Sequence, residues 1–263
     1  MKRIGNGRMA VVYKLNDHQA LKLFNKKVPM EFIMDEYSIC KHVNELGVSS
    51  PKVYDIIEKD GQKGILYEFI PGKTYLDILM SNGQVDGNPG AEMANEHLNI
   101  HNSKSTVLKD LKDIIKESIR VVDIDEDIKE KLINYLERLP NGDTVCHLDF
   151  HPDNLIKNKD NFTVIDWANA TKGCKAADVY NTILTISSGT VPPGTPKEVE
   201  NLINTMRMEL SAEYLEHYLQ NSDITKEDVY RWKLPILVYR LSHGISEERD
   251  DLIRKIKDLA SNI

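Results

Sequence analysis

The chain has 263 residues, a formal charge of −7, 41% hydrophobic residues and 29% charged ones. That length suits one large domain or two lobes with a sizeable core, and the acidic balance argues against a nucleic-acid partner, whose phosphates need a basic surface. No apolar run approaches the roughly 20 residues of a membrane helix, and the three cysteines, Cys40, Cys146 and Cys174, lack the spacing of a disulfide framework and read as free thiols in a reducing cytoplasm.

The chain opens with Ile4-Gly5-Asn6-Gly7-Arg8-Met9-Ala10-Val11-Val12-Tyr13. Gly5 and Gly7 permit a tight turn and a close backbone approach to phosphate, with residues 11–13 as the returning strand. Taken alone, this stretch is better accounted for as an ordinary hairpin turn. Glycines this near the start leave no room for a secretory signal. Residues 20–24 form an apolar strand interrupted by Lys22. Alternation puts Lys22 and Ala20 on the face opposite Leu21 and Leu23. Residues 30–46 read as a helix closed by Gly47. Phe32, Ile33, Ile39, Cys40 and Val43 mark its packed face, and Glu31 and Glu36 are both available to pair with a lysine.

Strands at 53–58 and 64–69 flank the turn Lys59-Asp60-Gly61, and Pro71-Gly72 ends the second. A helix follows at 75–80, a loop at 82–90 and a helix at 91–101. His97 and His101 stand four apart there, a spacing zinc accepts, but no third ligand is near in sequence and packing is the alternative. Residues 104–122 and 125–139 read as helices with solvated charged faces, before Pro140-Asn141-Gly142-Asp143 breaks the chain.

The chemistry concentrates at 145–167. Asp149 and Asn154 flank a short loop, two short strands at 155–156 and 162–165 enclose a turn at 157–161, and Asp166 ends the apolar run. A hairpin from Asn154 to Asp166 brings both side chains to one end, where an amide and a carboxylate can share Mg2+, a hard cation. Asp149, across the loop, can accept a proton from a hydroxyl. Beyond lie a helix from 177 to about 186, a Gly/Pro loop at 187–196 and helices at 197–220, 225–241 and 247–261. Glu209, Glu213, Glu216 and Asp223 read as an exposed face, or as an attraction for a cationic acceptor.

His147-Leu148-Asp149-Phe150-His151-Pro152-Asp153-Asn154, followed by Asp166, resembles the catalytic loop and metal aspartate of the protein-kinase-like superfamily. The nearer match is its branch of aminoglycoside phosphotransferases and choline-kinase-like enzymes, and the resemblance runs in order over nearly the whole chain. It implies an α+β, protein-kinase-like two-lobed fold. A small antiparallel-sheet N-lobe with one helix would cover residues 1–70. A larger, mostly helical C-lobe with the catalytic loop and acceptor site would cover 71–263. It implies a kinase that uses ATP or GTP on a hydroxyl of a small molecule, an aminoglycoside-type antibiotic, a choline-like amino alcohol or a sugar. A protein kinase and a non-catalytic nucleotide-binding module are the alternatives.

By that resemblance Asp149, Asn154, Asp166 and Lys22 are catalytic, and Asn154 and Asp166 hold the metal. The loop Gly5, Asn6, Gly7, Arg8, Met9, Ala10 covers the phosphates, with Ala10 in place of a third glycine. Lys22, paired with Glu36, grips the α- and β-phosphates. Tyr67 sits behind the base and the main chain of Glu68 and Ile70 reads it. Val12, Ala20, Ile156 and Ile165 complete the nucleotide site. His151 replaces a lysine and either touches the γ-phosphate or steadies the loop. Asp178 corresponds to a buried aspartate that accepts N–H bonds from the catalytic loop. After Trp167 the family's protein kinases carry a long activation segment, which is missing here. Leu148 stands in place of an arginine and cannot pair with phosphate, so regulation by that switch is not expected.

Overall fold

The computed structural model describes residues 1–82, 87–159, 161–188, 194–261 and 263. Contacts group the chain into two compact units, residues 1–87 with 149–170 and residues 88–148 with 171–263. The expected loops at 82–90 and 187–196, and the turn at 157–161, fall partly outside the described residues.

The first unit is built on a five-stranded antiparallel sheet of β1 (Lys2–Asn6), β2 (Ala10–Lys14), β3 (Gln19–Phe24), β4 (Val53–Lys59) and β5 (Gln62–Glu68), in the order β1-β2-β3-β5-β4. Asp60 and Gly61 connect β4 to β5 with φ of 52° and 72°, the pair of left-handed residues that a two-residue hairpin turn requires. Helix α1 (Met30–Glu45) buries Ile33, Cys40 and Val43 on one face, and Gly47 beyond its end takes φ of 76°. Ile33 packs with Ala10, Phe24 and Ile65 of the sheet. Glu36 lies on that same buried face while Glu31 is exposed, so an apolar helix stripe carries one carboxylate into the core.

The hairpin Leu155–Asn158/Asn161–Val164 pairs with Lys73–Thr74 in a second, three-stranded sheet. Packing therefore carries the first unit past residue 70, where the sequence reading placed a boundary, to residue 87. Gly72 makes this approach possible, since a Cβ there would lie 2.6 Å from the Lys157 carbonyl oxygen and 2.7 Å from Ile156 Cγ2. Helix α2 (Tyr75–Asn82) follows.

The second unit is mostly helical, with α3 (Pro89–His101), α4 (Leu111–Val121), α5 (Glu126–Arg138), α6 (Lys175–Ser187), α7 (Lys197–Gln220), α8 (Lys226–Arg231), α9 (Lys233–Ser242) and α10 (Arg249–Ala260). A short antiparallel ribbon joins Thr144–Cys146 to Thr171–Gly173. Two sequence expectations are corrected here. The helix expected over 104–122 starts only at Leu111, because Ser105 Oγ accepts the N–H groups of Val107 and Leu108 at 3.1 and 3.0 Å and Asp110 caps the helix through Lys112 N at 2.9 Å. The helix expected over 225–241 divides at Trp232. Pro235 has no N–H for the Arg231 carbonyl, which accepts the Tyr135 hydroxyl at 2.9 Å instead. Among the described residues no helix is long and apolar enough to cross a membrane.

Helices α3 and α7 come close at Gly90, where an added Cβ would press on the Glu213 side chain and lie 2.5 Å from Tyr214 N. Gly90→Ala is expected to destabilise the protein by about 1–3 kcal/mol, the cost of forcing volume into packed structure. Chemical denaturation measures this, and an unchanged midpoint would refute the close approach.

Candidate active site

Lys22 is the point at which the predicted site assembles. Its register partners on the neighbouring strands are Val12 of β2 and Ile65 of β5, so it stands in the middle of the sheet. Its Nζ lies 2.7 Å from Glu36 Oε1 and 3.0 Å from Asp166 Oδ1. Burial opposes the charge, but the carboxylates of Asp166 and Glu36 outweigh it and hold the ammonium well above the ordinary lysine range. The two ion pairs differ in kind. The Glu36 side chain is 2% exposed and the Asp166 side chain 46%. The pair with Glu36 is therefore a fixed part of the core, while the pair with Asp166 is open to water and to exchange with other anions.

Asp149 and Asn154 also meet. Asn154 Nδ2 donates to the Asp149 carbonyl at 2.9 Å and to Asp149 Oδ2 at 3.3 Å. These two acceptors fix the amide's orientation and turn its oxygen away from Asp149. The main chain of Asn154 and Ile165 is tied by a 2.9 Å hydrogen bond across the hairpin, one residue before Asp166. Asp166 adopts a left-handed backbone with φ of 62°, which aims its carboxylate back toward β3. A directed amide oxygen and an exposed carboxylate are hard oxygen donors that suit Mg2+. His151 Nδ1 accepts the Asp153 N–H at 3.3 Å, and its Nε2 lies 3.6 Å from Asp149 Oδ1. The ring thus braces the loop from inside.

The glycine-rich segment forms the β1–β2 turn, closed by Gly7 N donating to the Ala10 carbonyl at 2.9 Å. Gly5 pairs with Val12 and Asn6 with Val11, while the carbonyls of Arg8 and Met9 are held by Asn25 at 3.0 and 2.8 Å. Ala20 lies opposite Tyr67 on β5. Glu68 ends β5 with Ile70 just beyond it, Ile156 lies on the hairpin and Ile165 follows it. All of these residues belong to the first unit. Sequence reasoning missed one partner in it: the Tyr67 hydroxyl, which donates to Glu36 Oε1 at 2.9 Å.

In the second unit Asp178 is fully buried and accepts the backbone N–H groups of His147 and Leu148. Asn181 Nδ2 donates to the Leu148 carbonyl at 2.8 Å, and Leu148 itself is left-handed at φ of 58°. Asp178 is also the third member of the histidine cluster, which no local spacing revealed. His97 Nε2 and His101 Nε2 lie 3.1 and 3.3 Å from its Oδ2, and the three ligand atoms fall within 4.8 Å of one another. Hydrogen bonds account for all three. His97 Nδ1 and His101 Nδ1 lie 2.6 and 2.7 Å from the Tyr214 and Tyr218 hydroxyls, whose phenols burial keeps protonated. The neutral His97 imidazole then carries its proton on Nε2 and gives it to Asp178.

Burial, and then His101, push His97 down to about 4 against the pull of Asp178. Burial opposes the Asp178 charge too, but His97 and His101 hold its carboxyl far below the usual range. The two groups act in separate pH windows. An unfolded His97 takes up a proton below about pH 6.5 that the folded one refuses, so stability falls from there to about pH 4, by up to ~1.4 kcal/mol per pH unit. The Asp178 contribution is complete above about pH 4 and is lost only below it. His97→Gln is expected to flatten the melting temperature between pH 6.5 and 4, and an unaltered slope would contradict the neutral buried imidazole.

Comparison with known proteins bears on the family and the fold. The model of the phosphotransferase enzyme family matches residues 1–227. No curated protein matches the chain. Among solved structures, a choline/ethanolamine kinase family protein from Mesorhizobium loti superposes with a TM-score of 0.65 at 14% identity, covering 98% of this chain and 87% of that one. An amicoumacin kinase in complex with AMP-PNP, Ca2+ and Ami gives 0.63 at 14% identity, over 99% of this chain and 87% of that one. The streptomycin-ATP complex of aminoglycoside phosphotransferase APH(2'')-IIa gives 0.60 at 14% identity, over 100% and 90%. With its antiparallel-sheet part, its helical part and a family match over most of its length, this chain belongs to the phosphotransferase enzyme family and is a phosphotransferase of protein-kinase-like α+β fold.

Proposed function

We propose that the protein transfers the γ-phosphoryl group of ATP or GTP to a hydroxyl of a small, cationic acceptor, of the aminoglycoside or amino-alcohol kind. The observation that carries this reading is the meeting of Lys22 with Glu36 and Asp166 in the same unit as the bonded pair Asp149 and Asn154. The net charge of −7 favours a cationic acceptor over an anionic one. Two of the solved structures were determined with an antibiotic-type ligand and a nucleotide or its analogue, which supports a small-molecule acceptor here. Three free thiols suit a reducing cytoplasm.

Positioning and charge neutralisation dominate phosphoryl transfer. Lys22, held by Glu36, orients the α- and β-phosphates, and the Gly5–Ala10 turn closes over them with its N–H groups. Asn154 and Asp166 would hold the metal; Mg2+ bound there would neutralise charge on the phosphates. Phosphate at Lys22 would replace the exposed Asp166 and leave that carboxylate available to a metal. Asp149 accepts the proton of the acceptor hydroxyl, with Asn154 and His151 fixing its orientation. Tyr67, Glu68 and Ile70 border the base, with Val12, Ala20, Ile156 and Ile165 as its apolar surroundings.

A nucleotide-consumption screen with ATP and with GTP against aminoglycosides, macrolides, amino alcohols and sugars tests this. One acceptor class should drive turnover, and Asp149→Ala should reduce that turnover by about a hundredfold or more while nucleotide binding persists. Turnover that survives in Asp149→Ala would remove Asp149 from its assigned role, and no turnover with any acceptor would count against the reading as a whole.

A further inference from the structure

Glu36 Oε1 serves two donors. It accepts Lys22 Nζ at 2.7 Å and the Tyr67 hydroxyl at 2.9 Å. Its other oxygen, Oε2, is buried without a hydrogen-bond partner. The whole orientation of this carboxylate, at 2% exposure, therefore rests on one oxygen and two bonds. Lys22 cannot fix Glu36 unaided, because Lys22 also answers to Asp166 at 3.0 Å and its stem is flexible. Tyr67 sits on a rigid strand, paired with Ala20 on one side and Val53 on the other. It shares a face with Ile65, the register partner of Lys22. The small Ala20 opposite it leaves room for the phenol to reach across to α1.

The donor chain continues beneath it. Cys40, one helical turn beyond Glu36, has its Sγ 3.5 Å from the Tyr67 oxygen. Burial pushes the Cys40 thiol up to about 12 and the Tyr67 phenol well above its ordinary value, so both groups keep their protons. The phenol proton is committed to Glu36, and the thiol can only donate to the phenol oxygen. The direction is then fixed from Cys40 through Tyr67 to Glu36, the carboxylate that Lys22 faces.

We propose that Tyr67 is a positioning residue for phosphoryl transfer. Its hydroxyl holds Glu36 at the angle that presents Lys22 to the nucleotide phosphates. This is distinct from a place beside the base, since the hydroxyl acts on the phosphate end of the nucleotide through Glu36 and Lys22. The inference rests on the phosphotransferase reading of the site, and the experiment separates the two.

Tyr67→Phe keeps the ring and removes only the hydroxyl. Affinity for AMP-PNP and GMP-PNP with Mg2+ is measured by calorimetry for the wild type, Tyr67→Phe, Glu36→Gln and the double variant, with melting temperatures to confirm folding. Tyr67→Phe should weaken binding by about fivefold, the share of one hydrogen bond. In the Glu36→Gln background the same change should weaken it less than about twofold, because its target carboxylate is gone. Equal losses in both backgrounds, or no loss in either, would overturn the inference and place Tyr67 with the base. Wild-type protein that binds neither analogue would instead sink the functional reading, and the inference with it.

Discussion

The ammonium of Lys22 lies between two carboxylates that are far apart in the sequence, one on the buried face of α1 and one just beyond the hairpin at 155–164. Removing a charge from a buried pair costs about 3–5 kcal/mol, because it leaves the partner stranded. The sheet is thereby committed to a lysine at its centre and α1 to a glutamate on an otherwise apolar stripe. The exposed partner, Asp166, is not committed in the same way. On the proposed reading, that asymmetry leaves one pair in place when a nucleotide arrives and lets the other give way to phosphate.

Backbone strain marks the same region. Leu148 and Asp166 are both left-handed without being glycine, at φ of 58° and 62°, a conformation that costs roughly 1–3 kcal/mol each and persists only where the surroundings over-determine it. For Leu148 those surroundings are Asp178 on the N–H groups and Asn181 on the carbonyl. Asp178 is in turn fixed by two Tyr–His relays. For Asp166 they are the Lys22 ion pair and the hairpin bond between Ile165 and Asn154. The residues bracketing the segment 149–165 are thus held from within their own units.

Much of this was readable in the sequence because local rules dominate locally. The 3.6-residue stripe of α1, the Asp60-Gly61 turn and the 24 residues of α7 appear where periodicity and turn chemistry put them. The hairpin that brings Asn154 and Asp166 to one end follows from a polar break between two short apolar runs. What escaped were particular bonds formed across long stretches of chain. Nothing near His97 announces Asp178, which lies 81 residues on. The Tyr67 hydroxyl is silent until α1 and β5 are packed together, 31 residues apart in the chain. Two helix boundaries moved for side-chain reasons that periodicity does not register: a serine competing for backbone N–H groups at 105, and a proline at 235 that leaves the Arg231 carbonyl to a tyrosine.

The account stands or falls on Lys22 meeting phosphate in place of Asp166. The most direct measurement is 31P NMR of a magnesium-bound nucleotide analogue titrated into wild-type protein and into Lys22→Met. The account predicts that the α- and β-phosphate resonances shift strongly in the wild type and that affinity falls by about tenfold or more in the variant, in line with a lost charge-assisted contact. Equal shifts and equal affinity in the two proteins would contradict it.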